Sequence, residues 1–150
     1  MKILILVLAM ILAPMTVHAA DLITKSSPYS VAGTMDRLVA AVENAGATVF
    51  ARVDHAAGAA SIDAELNPNQ MLVFGNPKIG TPILQADPRS GLDLPIRVVV
   101  FEDASGNTRL AYHDPREFAD DYELSPDLEA LKTMAGAVGK LTDAATQPFN

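Results

Sequence analysis

Two four-residue runs, Met71-Leu72-Val73-Phe74 and Val98-Val99-Val100-Phe101, are apolar at every position. A strand with one face in a core and the other in water alternates apolar with polar side chains. These runs do not alternate, so the sheet they build is expected to have both faces partly covered. Three kinds of cover fit: a closely wrapped helix layer, a ligand, or a second subunit. The chain contains no cysteine, so no disulfide can supplement the packing, and thiolate catalysis and cysteine-based metal sites are excluded.

The N-terminus reads as a targeting segment. Lys2 supplies a positive start, Ile3 to Leu12 is an unbroken apolar run, and Pro14 follows. Val17-His18-Ala19 then places small residues where a signal peptidase cuts. The expected organisation is a signal peptide over residues 1–19 and a single domain over residues 20–150, exported to the periplasm or beyond. The apolar run is too short to span a bilayer comfortably, so no stable membrane insertion is expected after cleavage; an uncleaved anchor is the competing reading. The remaining chain of about 130 residues suits one domain. It carries 10 Lys and Arg against 18 Asp and Glu, an acidic balance that argues against nucleic acid as a partner. No Trp and only 5% aromatic residues leave little to stack bases or sugars on.

Turn and cap signals divide the domain. Leu22 to Tyr29 reads as a short edge strand, with Pro28 near its exit. Ser30 suits the N-cap of a helix over 31–45, whose Met35, Leu38, Val39 and Val42 recur at helical spacing before Gly46. Ala47 to Val53 and Met71 to Phe74 read as strands, with a small-residue connection at 54–60 that could hold a helical turn. Thr81-Pro82 has the form of an N-cap followed by proline at the first helical position, predicting a short helix from there to Ala86. Ile96 to Phe101 and Thr108 to Tyr112 read as a hairpin around Glu102–Asn107. A short helix is expected within 115–122, and a final helix from Ser125-Pro126-Asp127, with Leu128, Leu131, Ala135, Val138 and Leu141 on one face. The order is β-α-β(4)-α with small extras. The predicted class is therefore α+β, an antiparallel sheet with helices packed on one face.

Few residues offer chemistry. Gly75 and Gly80 followed by Thr81 have the glycine spacing of a phosphate loop. However, the lysine is Lys78, between them, and Pro77 removes an N–H that a cradle would use. What survives is a helix N-terminus near Thr81 with Lys78 beside it. That makes Asn76, Lys78, Gly80 and Thr81 candidates for a small polar or anionic ligand. The bland alternative is a tight turn with a solvated lysine. His55, after a strand end, is a candidate general base with Asp93 or Asp114 as orienter; equally it is a loop histidine bonded to backbone. Glu102 and Asp103 read as ordinary hairpin acids. No GxSxG nucleophile motif occurs, no metal-ligand spacing occurs, and no cofactor is implied. Arg97 interrupts an apolar strand, either as a solvated edge residue or as a partner of Asp93 or Asp114.

Four blocks in order carry a likeness. They are Arg52-Val53-Asp54-His55-Ala56-Ala57, Phe74-Gly75-Asn76-Pro77-Lys78-Ile79-Gly80-Thr81-Pro82, Gly91-Leu92-Asp93-Leu94-Pro95, and Tyr112-His113-Asp114-Pro115. Together, over about residues 25–144, they resemble the domain of unknown function 302 family. Phe101 stands where that family often has Trp, and Ile83-Leu84 replaces a more usual Leu-Met. The resemblance implies a fold like that of the TATA-box-binding protein, with no DNA binding attached. It also implies a homodimer for some members, and it implies no activity. Two function classes remain as expectations: an exported small-ligand-binding or interaction module, homodimeric, or a small hydrolase or isomerase built on His55.

Overall fold

The computed structural model describes residues 22–148; the expected signal peptide and its cleavage site lie outside them. The elements in chain order are β1 (Leu22–Ser26), α1 (Val31–Asn44), β2 (Thr48–Asp54), α2 (His55–Ala60), β3 (Asn69–Gly75), α3 (Pro77–Ala86), β4 (Ile96–Glu102), β5 (Thr108–His113), α4 (Phe118–Asp121) and α5 (Glu129–Thr146). The five strands form one antiparallel sheet in the order β1-β5-β4-β3-β2. The α+β architecture is the one expected, and β1 is an edge strand as its sequence suggested.

Helix α1 starts where Ser30 accepts the Gly33 N–H at 3.1 Å and stops before Gly46, whose φ of +70° suits glycine. Its Met35, Leu38 and Val42 are fully buried. Together with Leu131, Met134 and Val138 of α5 they cover one face of the sheet. The strand residues beneath are Leu72, Phe74, Ile96, Val98, Val100, Leu110 and Tyr112. The register pairs Leu72 with Val98 and Val100 with Leu110, so this face is a continuous apolar row.

The alternate residues of the two opening runs, Met71, Val73, Val99 and Phe101, point to the other face and are only half-buried. The runs lack alternation because the middle of the second face is apolar too, although Arg97, opposite Val73, and Arg109, opposite Phe101, lie on that same face. A register shift between Val49 and Ala51 bulges edge strand β2 and leaves Phe50 57% exposed, which interrupts the row of free backbone groups along that edge.

Polar contacts tie the ends together. Lys25 of β1 reaches α5 at the Gly139 carbonyl (3.0 Å), Thr142 Oγ1 (2.7 Å) and Asp143 Oδ1 (2.6 Å). The Arg37 guanidinium donates to the carbonyls of Ala144, Ala145 and Gln147 at the C-terminus of α5, where a cation opposes the helix dipole. In the β4–β5 hairpin, Asp103 accepts from Arg109 Nε and from the Asn107 and Ser105 N–H groups. These bonds, Arg109's first, hold its carboxyl down to about 2.

Two helix starts differ from expectation. Helix α3 begins at Pro77, not at Thr81-Pro82. Asn76 is the N-cap, its Oδ1 accepting the Lys78 N–H at 3.0 Å, and Thr81 and Pro82 lie inside the helix. Asn76-Pro77 offers the same signal five residues earlier, and starting there gives the helix a further turn. Helix α5 begins at Glu129. Ser125-Pro126-Asp127 forms a separate turn closed by the Leu128 N–H on the Ser125 carbonyl (2.9 Å), and Leu128, with φ −58° and ψ 115°, is not helical. The start of α3 makes a sharp prediction. Asn76→Ala should lower stability by about 1 kcal/mol, whereas Thr81→Ala should change it by less than about 0.5 kcal/mol. Urea denaturation of the two variants checks this, and the reverse ranking would return the helix start to Thr81.

Candidate functional site

Strand β3 ends at Gly75 and the chain turns at Asn76 directly into α3. On the neighbouring strand, β4 is entered through Asp93-Leu94-Pro95, with a cis bond between Leu94 and Pro95, after a 3-10 turn over Pro88–Leu92. These two connections face each other and enclose a pocket of about 250 Å³. It is lined by Phe50, Gly75, Asn76, Pro77, Gly80, Thr81, Leu84, Gly91, Leu94, Pro95, Ile96 and Met134. A Cβ at Gly75 would meet Pro95 Cβ at 3.5 Å and the Phe50 ring at 3.6 Å, both ordinary van der Waals contacts, so the strand end and the β4 entry pack side by side here. The lining is almost wholly apolar, and no charged side chain belongs to it. Two sequence blocks, 74–82 and 91–95, therefore meet at one concavity.

Asn76, Gly80 and Thr81 lie on this pocket. Lys78 is exposed and does not line it. The first free N–H of α3, that of Lys78, is already taken by Asn76, and Thr81 is not a helix terminus. The helix N-terminus expected at Thr81 is therefore absent there, and Lys78 lies off the pocket.

Asp93 and Asp114 line a separate cleft of about 90 Å³, with His113, Glu117, Phe118 and Asp121. Asp93 accepts from Arg97 Nη2 at 2.7 Å and from the Tyr122 hydroxyl at 2.5 Å. That bond to a carboxylate pushes the Tyr122 phenol up to about 12. Arg97 is thus a half-exposed partner of Asp93. Asp114 is buried and both of its oxygens are occupied. Oδ1 accepts the Arg116 N–H (3.0 Å) and Nε (3.0 Å), and Oδ2 accepts Nε (2.9 Å) and Nη2. The guanidinium lowers its pKa below the usual carboxylate range.

His55 lies elsewhere. Asp54, its neighbour, pairs with Gln70, whereas Thr48 at the other end of β2 pairs with Gly75. The length of β2, about 20 Å at strand rise, separates His55 from the sheet end that carries Asn76, Asp93 and Asp114. His55 is the exposed first residue of α2, which Asp54 caps by accepting the Ala57 N–H at 2.9 Å. Neither Asp93 nor Asp114 can orient it. The base-and-orienter arrangement is corrected on that ground. Among the described residues, no group of three or more His, Asp or Glu is placed to hold a metal ion.

Sequence reading overlooked Asp87 and Tyr122. Asp87 is 4% exposed and caps the 3-10 turn by accepting the Arg89 N–H. It chelates the Arg89 side chain and accepts the Glu123 N–H at 3.0 Å. Arg89 drives its pKa strongly down. The signal was present, because Asp-Pro-Arg occurs twice, at 87–89 and 114–116. Both copies fold alike, as an acid capping a proline-led turn and gripping the arginine two residues on.

With this geometry in hand, the chain belongs to the family described as "Domain of unknown function DUF302", whose model matches residues 23–141. A solved structure, the uncharacterized conserved protein DUF302 from Bacillus stearothermophilus, superposes with a TM-score of 0.75 at 19% identity. It covers 85% of this chain and 99% of that one, and it shares the fold. The chain is also 41% identical over 128 residues to Fluoride-specific ion channel FluC 1 of Brucella suis, and likewise to FluC 2 of Brucella melitensis. These matches cover 84% of this chain but 50% and 47% of the relatives. The chain spans about half the length of these relatives.

Proposed function

We propose that this DUF302 domain is a binding module that receives a small, uncharged, largely apolar group in the pocket between α3 and the entry to β4. The observation that carries this reading is the convergence of two separately encoded blocks, 74–82 and 91–95, on a concavity without a charged lining residue. Such a lining favours apolar burial over ion pairing, which moves the ligand away from the polar or anionic class that Lys78 suggested. Phe50, 57% exposed, and Leu84, 38% exposed, add apolar surface at the mouth. Ion conduction is not part of this reading. The FluC relatives are about twice the matched length, and among the described residues no helix is long and apolar enough to cross a membrane.

The domain is further read as a homodimer that meets its copy through the second sheet face. Half-buried Met71, Val73, Val99 and Phe101 give the middle of that face the apolar character sheet-on-sheet packing uses, with Arg97 and Arg109 beside them. The module works outside the cytoplasm, on the strength of Lys2, the Ile3–Leu12 run and Val17-His18-Ala19.

Each part has its measurement. Gly80 lies inside α3, and a Cβ there would come 4.0 Å from Leu94 Cδ1 across the pocket. Gly80→Leu should therefore fill the pocket without straining the backbone. The wild type should enhance the fluorescence of neutral N-phenyl-1-naphthylamine saturably, and Gly80→Leu should abolish this while unfolding no earlier. A wild type that leaves the dye dark, or a variant that binds it equally, defeats the pocket reading. In sedimentation velocity the wild type should run as a dimer and Val99→Glu as a folded monomer; a monomeric wild type removes the dimer. The intact mass of protein recovered from the exported fraction should begin at Ala20 or Asp21, and a mass retaining Met1 would contradict export by cleavage.

A further inference from the structure

Residues 87–95 form one wall of the pocket, contributing Gly91, Leu94 and Pro95. Within this stretch Leu94 alone packs against the apolar core, and the buried Asp87 and Ser90 are polar. Pro88, Arg89, Gly91 and Leu92 are exposed, Leu92 by 80%. Internally it is stiff. The Asp87 carbonyl accepts the Ser90 N–H (3.1 Å) and hydroxyl (2.7 Å), and the Ser90 carbonyl accepts the N–H groups of Asp93 (3.1 Å) and Leu94 (3.2 Å). Its two ends are fastened to one dipeptide outside the pocket. At the first, Asp87 Oδ2 takes the Glu123 N–H at 3.0 Å. At the second, Asp93 Oδ2 takes the Tyr122 hydroxyl at 2.5 Å.

We infer that residues 87–95 are a strap latched at both ends onto Tyr122-Glu123, and that Tyr122 is a positioning residue which sets the pocket wall through Asp93 without touching the pocket. A segment with few buried apolar contacts opens locally at a free energy set by the bonds that remain. Here those bonds are hydrogen bonds to carboxylates, the stronger kind. Arg97 occupies the other oxygen of Asp93 at 2.7 Å, so the carboxylate is aimed from both sides. The wall's significance for a ligand rests on the pocket reading above; the latch itself does not.

Tyr122→Phe removes the hydroxyl and keeps the ring that meets Phe118 edge-on at 6.2 Å. Amide hydrogen exchange should then quicken by about tenfold or more over peptides spanning 88–95, with α1 and β4 unchanged, because a bond to a charged acceptor is lost. Asp93→Asn, which keeps an acceptor but not the charge, should quicken the same peptides less. In the same Tyr122→Phe protein, bound N-phenyl-1-naphthylamine should dissociate faster than from the wild type. Unchanged exchange over 88–95 overturns the latch, and so does exchange that rises evenly through the domain, which would make the hydroxyl a support of the whole fold. Faster local exchange in a protein whose wild type binds no dye upholds the latch and defeats the pocket reading alone.

Discussion

The fold depends on α5 closing over the sheet. Without a disulfide, the apolar layer between β3-β4-β5 and the two long helices must supply most of the stability. Helix α1 alone covers only part of that face. Leu131, Met134, Val138 and Ala145 of α5 complete it, and two cations fix where the helix lies. Lys25 grips its side at Thr142 and Asp143, and Arg37 closes its C-terminus. Both bonds join residues more than a hundred positions apart, so the two ends of the domain meet through them. Their polar geometry gives α5 a defined position where apolar contact by itself would tolerate sliding.

The pocket follows from that placement. Helix α5 brings Met134 to the corner where β3 ends and β4 begins. There the chain reverses sharply twice, once at Gly75-Asn76-Pro77 and once at Leu94-Pro95. Glycine and proline at these turns replace the bulky side chains that would otherwise fill the corner. The concavity is therefore a consequence of two tight connections set side by side, with their backbones held by Asn76 on one side and Asp87 and Asp93 on the other.

Strands, helix α1 and the β4–β5 hairpin were legible because their signals are local: periodicity, a serine cap, a glycine stop. The start of α3 was misread because Asn76-Pro77 and Thr81-Pro82 carry the same cap-and-proline signal, and only the packing of Ile83 and its neighbours arbitrates between them. Ser125-Pro126 carries it once more and yields a turn alone, since Leu128 leaves the helical backbone there. The residues around the pocket were legible as blocks, but not their meeting, which needs the β3–β4 pairing. Nor could the sequence reveal that His55 and Asp93 sit at opposite ends of the sheet, because that depends on the direction of β2. The Asp-Pro-Arg repeat was readable and went unread; its meaning is local, and the structure only made it visible.

Close partners hold several of the loop acids as anions. A general base works best with a pKa near the operating pH, which a carboxylate reaches through burial away from cations. Here the opposite has happened. Asp54 is lowered chiefly by the Ala57 N–H, Asp87 by Arg89, Asp103 by Arg109 and Asp114 by Arg116. Each is a firm anion at neutral pH, and its oxygens are engaged in capping a turn or holding a guanidinium. Asp93, between Arg97 and Tyr122, is engaged in the same way. Groups so committed shape loops. Of these, Asp87 and Asp93 hold one wall of the apolar pocket, whereas Asp54 and Asp103 serve loops at the far end of the sheet.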